Sequence, residues 1–201
     1  TVVGVGREDG KTAGEYAPIF FKQAKYTLLD QNTFWLCEKP DSVGMVGWDA
    51  ALTRIATWVK LQDKKTGQIL MVVNTHFDHI GTEARRNSAL LIIEKIKEIV
   101  GTSPAILTGD FNVSEDWDAY KTITNNEFIL KDAHKVAGKR TGVDFTYHNF
   151  GKIPAEKCKK IDFIFVTPQI RVISSYIPFS QLNDTLFLSD HNPEIVELEI
   201  K

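Results

Sequence analysis

The chain has 201 residues, 43% hydrophobic and 25% charged, with 24 basic against 26 acidic side chains and a formal net charge of -2. That is enough chain for one sizeable core in the mix of a soluble globular domain. It weakens a dedicated nucleic-acid binder, which draws on a basic excess, and no apolar run approaches the ~20 residues that span a bilayer. Two cysteines, Cys37 and Cys158, lie far apart with no C-x-x-C pattern, against a disulfide framework or a cysteine zinc site.

In chain order, residues 17–23 and 33–37 read as strands by their aromatic and apolar content. Residues 53–61 alternate apolar with polar, the turn Asp63–Gly67 follows, and 69–75 is apolar nearly throughout. That predicts a hairpin whose second strand is buried on both faces. Over 84–100, Ala89, Ile92, Ile93, Ile96, Ile99 and Val100 recur at helical spacing, and Gly101 suits the position just past the helix. Residues 104–108 form a short apolar strand running into G-D-F-N. A weaker helix is expected from Glu115 to Thr124 with Ser114 as its N-cap, and further strands at 161–166, 170–177 and 194–200. Many strands with one long helix favour sheets packed face to face over a doubly wound fold.

Four segments put chemically capable residues at strand ends, where loops build active sites: Asn74-Thr75-His76-Phe77-Asp78-His79, Gly109-Asp110-Phe111-Asn112, Ile161-Asp162-Phe163 and Ser189-Asp190-His191-Asn192-Pro193. Asp110 and Asn112, two apart on an extended stretch, would project together and hold an attacking water and a phosphate oxygen. Taken alone, the pair reads first as an Asx turn closing a strand. Asp190 and His191 point opposite ways: the carboxylate suits a hard cation, and the imidazole suits a phosphate and a proton, with Asp162 to orient it. An Asp inside I-D-F-I-F-V would be costly to bury unpaired. His76 follows an apolar strand, with Asp78 on its side if the chain stays extended. Each has a bland reading as well, a satisfied structural histidine or a strand-end carboxylate. The runs Arg85-Arg86, Lys139-Arg140 and Lys157 to Lys160 read as solvated surface before they read as a nucleic-acid groove.

In order, N-T-H, G-D-F-N, I-D-F and S-D-H-x-P resemble the endonuclease/exonuclease/phosphatase superfamily, which includes pancreatic-type deoxyribonucleases, inositol-polyphosphate 5-phosphatases and neutral sphingomyelinases. The resemblance spans roughly Gly14 to Ile200, and GREDGKTAGEYAPIF (6–20), FWLCEKPD (34–41) and GWDAALTR (47–54) resemble a bacterial-type branch. It implies an α/β (α+β) fold, a four-layer sandwich of two mixed β-sheets flanked by helices, as one domain over 1–201. It implies catalytic roles for His76, Asp110, Asn112, Asp162 and His191, a metal-binding Asp190, and Mg2+ or Mn2+ as cofactor. Arg54 and Asp78 are expected near the substrate.

The same resemblance places an Asn and a metal-binding Glu upstream of Thr1, so the domain is expected to lack its first strand or strands; Glu15 falls too late to be that Glu. An extracytoplasmic location is compatible with a start inside the domain. The expected activity is metal-dependent hydrolysis of phosphate mono- or diesters by a monomer, with a small molecule or lipid head group as the favoured substrate. The alternatives are a nuclease acting on DNA or RNA and an inactive binding module on the same scaffold. Other metal hydrolases fit less well: Asn74 stands where an H-x-H-x-D-H pattern needs its first His, and no G-N-H-D/E follows the G-D pair.

Overall fold

The computed structural model describes residues 1–101, 103–126, 130–183 and 186–200. The chain opens with a short antiparallel pair, β1 (Val2–Val3) and β2 (Ile19–Phe20). An antiparallel run follows: β3 (Tyr26–Trp35), β4 (Ile55–Asp63) and β5 (Ile69–His76). The turn between β4 and β5 is made by its residues. Asp63 Oδ1 accepts the N–H groups of Lys65 and Thr66, and Gly67 takes φ +74°.

Helix α1 (Thr82–Val100) then crosses to β6 (Ala105–Asp110), which lies parallel to β5. Helix α2 (Asp118–Thr124), β7 (Lys131–Asp132), the single turn α3 (Ala133–Val136) and β8 (Lys139–Gly142) come next. The last strands are β9 (Asp162–Val166), β10 (Ile170–Ile177), β11 (Gln181–Asn183), β12 (Leu186–Phe187) and β13 (Ile195–Ile200).

Besides the two-stranded pairs β1-β2 and β11-β12, these strands form two mixed sheets. The larger has the order β3-β4-β5-β6-β9-β7, and the smaller β13-β10-β8. Helices α1 and α2 cover one face of the large sheet, where Ile92, Ile96 and Ile123 pack on Met71, Val73, Leu107 and Phe165. On its other face, Leu70 and Val166 meet Ile170 and Val172 of the small sheet. β5 is therefore buried on both sides, as its continuous apolar sequence requires: Met71 and Val73 face the helices, Leu70 and Val72 the small sheet. The result is the expected α/β arrangement of mixed sheets flanked by few helices.

The helical spacing over 84–100 holds, with Ala89, Ile92, Ile93, Ile96 and Val100 all buried. Helix α1 starts two residues earlier and takes its cap from outside. Gly81 has no side chain to offer, so the Asp49 carboxylate accepts the N–H groups of Glu83 (3.2 Å) and Ala84 (2.6 Å). A Cβ on Gly81 would lie 2.6 Å from Asp49 Oδ1, which is why glycine stands there.

Several expected boundaries move. Helix α2 begins at Asp118 with Trp117 as its N-cap, not at Glu115 with Ser114, because the Ser114 carbonyl accepts the Trp117 N–H and closes a turn first. The strand expected at 17–23 shrinks to Ile19–Phe20, since Pro18 has no N–H to donate. The strand expected at 33–37 is the end of a longer one starting at Tyr26. Among the described residues, no helix is long and apolar enough to cross a membrane.

Candidate active site

Cross-strand register builds this site. β5 and β6 place His76 opposite Asp110, and β6 and β9 place Asp110 opposite Asp162. Three chemically capable side chains thus stand in one row at one end of the large sheet, on the same face. The residue after each is a phenylalanine sent to the other face. Phe77, Phe111 and Phe163 are buried to 0–1% exposure. Their rings meet edge-on, Phe77 to Phe111 at 4.9 Å and Phe111 to Phe163 at 6.0 Å. β6 lies so close to β5 that a Cβ on Gly109 would sit 2.2 Å from the Thr75 carbonyl oxygen, so the residue before Asp110 is glycine.

His191 reaches this row from the loop before β13. Tyr147 bridges the two parts: its backbone pairs with both Lys159 and His191, and its ring lies 4.9 Å from the imidazole. His191 Nδ1 is 2.7 Å from Asp162 Oδ2. Burial works to lower the His191 pKa, but the hydrogen bond and charge of Asp162 outweigh it and hold the imidazole above its ordinary value. Asp110 is raised as well, first by burial and then by the negative charge of Asp162.

His76 Nε2 lies 3.4 Å from Asp110 Oδ2, and its Nδ1 is 2.8 Å from Glu15 Oε1. Glu15 in turn accepts a 2.7 Å hydrogen bond from Arg7 Nη1. Burial alone would raise the Glu15 carboxyl, but the charges of His76 and Arg7 and the His76 hydrogen bond keep it low. The sequence reading missed this partner. Glu15 lies 61 residues from His76 in a glycine-bearing loop, and its only signal is the G-E-Y string.

These groups wall a cavity of about 690 Å³ between the sheets, lined also by Tyr16, Ser189 and Glu194. Ligand atoms of Asp110, Asp162 and His191 all lie within 4.8 Å of one another. With His191 Nδ1 committed to Asp162, the donors facing one another there are chiefly carboxylate oxygens. Their mutual repulsion is the imbalance a hard divalent cation relieves, so the residues present fit such an ion.

Other expected site residues are placed differently. Asp190 lies outside this group and does not line the cavity. Its side chain accepts from Ser189 Oγ at 3.3 Å, and its backbone carbonyl accepts the N–H groups of His148 and Asn149. Asn112 does not continue an extended strand beside Asp110. It has φ +50°, its N–H donates to Asp110 Oδ1 at 2.8 Å, and its Nδ2 donates to the Phe77 carbonyl at 3.0 Å. The Asx turn closing a strand is thus the local geometry, and it fixes the Asp110 carboxylate.

Asp78 and Arg54, expected near the substrate, are instead buried against each other. Their side chains are 1% and 4% exposed and line no part of the main cavity. Asp78 accepts the N–H groups of Leu52, Ile80 and Gly81 and faces Arg54 Nε at 3.4 Å. Burial would raise its carboxyl, but those N–H donors hold it well below the usual carboxylate range.

The model of the Endonuclease/Exonuclease/phosphatase family matches residues 14–191. An endonuclease/exonuclease/phosphatase structure from Bacteroides vulgatus is 64% identical, with TM-score 0.97 over 100% of this chain and 76% of that one. The mannosyl-6-phosphatase of Bacteroides thetaiotaomicron is 36% identical, with TM-score 0.92 over 100% of this chain and 77% of that one. An uncharacterized protein of Acanthamoeba polyphaga mimivirus is 30% identical over 175 residues, 82% of this chain, and the match spans only 63% of that protein's length. Sequence order, fold and the matched span agree: the chain belongs to the endonuclease/exonuclease/phosphatase family.

Proposed function

We propose that the chain carries the catalytic site of a divalent-metal-dependent hydrolase of phosphate esters. The observation that carries the reading is the row His76–Asp110–Asp162, closed by His191 at 2.7 Å from Asp162. Phosphoryl transfer asks a protein for positioning and charge stabilisation more than for covalent chemistry. The row is built for that.

Asp110, raised by burial and by Asp162, takes a proton from a water attacking phosphorus. His191, hydrogen-bonded to Asp162 and raised above its ordinary pKa by that contact, donates to the phosphoryl oxygens as negative charge grows on them. His76, steadied by Glu15, delivers a proton to the leaving oxygen as the P–O bond breaks. The Asp110 and Asp162 carboxylates would hold a hard cation such as Mg2+ or Mn2+, which would supply Lewis-acid polarisation of the phosphoryl oxygen.

A small phosphate ester is the favoured substrate. The 36% identity to a mannosyl-6-phosphatase supports it. Two of the basic runs also lose members from the surface: Arg85 is 3% exposed and stacks on Trp117, and Lys160 is 8% exposed and paired with Glu194. A nucleic-acid groove needs such residues in solvent.

The test is hydrolysis of a phosphomonoester and a phosphodiester with Mg2+ and with a chelator. Turnover is expected with the metal, faster on the monoester, and Asp110→Asn is expected to lower kcat by about 10²- to 10⁴-fold, the usual contribution of a positioned proton-transfer group. Near-wild-type turnover in the folded Asp110→Asn protein would sink the reading, and silence of the wild type on both esters would favour an inactive binding module.

A further inference from the structure

The Asp162–His191 hydrogen bond joins two parts of the fold that share no sheet. Asp162 opens β9 of the large sheet, and His191 lies in the loop leading to β13 of the small one. Something must set the distance between these segments, because a 1 Å error in such a pair costs about 10²-fold in rate.

The same two segments, which Tyr147 already bridges through its backbone, are also joined by side chains. Lys160, two residues before Asp162, and Glu194, three residues after His191, have side chains only 7% and 3% exposed. Lys160 Nζ is 2.9 Å from Glu194 Oε2 and donates to the Asp162 backbone carbonyl at 2.9 Å. The ammonium also lies 3.9 Å from the centroid of the Phe163 ring. Glu194 Oε1 accepts from Ser175 Oγ at 3.3 Å, and Ser175 Oγ is 2.8 Å from His134 Nδ1. The lysine therefore grips the main chain at Asp162, and the glutamate is anchored on β10.

Two buried charges are a poor way to gain stability. Desolvation costs several kcal/mol per ion, and apolar residues of like volume are often as stable or more so. What an ion pair with fixed partners adds is a preferred register between the parts it joins. We propose that the buried Lys160–Glu194 pair is a positioning device that sets the Asp162–His191 hydrogen bond. Neither residue is assigned contact with the reacting atoms. The proposal rests on the reading of Asp162 and His191 as a working pair, and its test separates the two.

The decisive variant is the double substitution Lys160→Met with Glu194→Met, which removes both charges and leaves none buried alone. Its urea midpoint is expected at or above that of the wild type. The downfield proton resonance of His191 Nδ1–H, assigned by its loss in Asp162→Asn, is expected to broaden or vanish in the double variant. Turnover of a phosphomonoester with Mg2+ is expected to show kcat lower by about a hundredfold with KM unchanged. A folded double variant that keeps the wild-type resonance and kcat overturns the proposal. If the wild type turns over no ester, the hydrolase reading falls, and the resonance alone decides: lost, it supports positioning; kept, it overturns it. Should the double variant not fold, Glu194→Gln is read by the same resonance with the same two outcomes.

Discussion

Asp78 lies two residues beyond His76, yet its side chain is 1% exposed against 29% for His76. The difference fixes what each can do. His76 faces the cavity between Glu15 and Asp110, whereas Asp78 is spent on three backbone N–H groups and a buried arginine. Asp78→Ala should therefore cost about 3–5 kcal/mol, the range for stranding one partner of a buried pair. Chemical denaturation reads that loss, and the KM of the protein that remains folded should not change. A raised KM with unaltered stability would return Asp78 to the substrate. Glu15 is the reverse case, a residue set aside as a metal ligand and given no other role by its G-E-Y string. Its role depends on a contact with His76 that only the folded chain makes.

At the scale of elements, the three phenylalanines behind the row tie β5, β6 and β9 to the helix-side core. Phe111 is central, with ring contacts to Phe77, Phe163 and Phe165. Phe111→Ala is expected to lower stability by about 3–5 kcal/mol in a urea titration. A loss under about 1 kcal/mol would mean that the sheet holds its alignment without it. Much at this scale was legible in the sequence. β5 was readable as buried on both faces, and α1 from the spacing of its isoleucines. β8 was not, because all four of its residues are exposed and no apolar pattern marks the segment that pairs with β10. The start of β3 was missed for the same reason: Asp30, Gln31 and Asn32 are exposed on the edge of the sheet. The N-terminus of α2 was misplaced because Ser114 is a good cap by type, while its carbonyl had already closed a turn. Residue types at strand ends named most of the site. Register, which sets His76, Asp110 and Asp162 side by side, is a long-range property that no local window contains.

For the whole molecule, the two sheets meet around a cavity whose carboxylates repel one another. An ion bound there would link the large sheet to the His191 loop and stabilise the folded state by mass action. Mg2+ or Mn2+ at about 100 times its dissociation constant should add about 2.7 kcal/mol. Calorimetry should show the unfolding temperature rising with added metal, and the rise should disappear in the double variant Asp110→Ala with Asp162→Ala. An equal rise in that variant would place the ion elsewhere. The alternation of the row has a further consequence, one that concerns how the chain reaches its fold. Each of the dipeptides His76-Phe77, Asp110-Phe111 and Asp162-Phe163 exposes an ionisable group on one face and buries an aromatic ring on the other. A slip of one residue in any of the three strands would exchange those faces. It would drive a carboxylate or an imidazole into the helix-side core and leave a phenylalanine in water. The side chains proposed for chemistry thus also act as a check on assembly, since mispaired sheets are penalised at the same three positions.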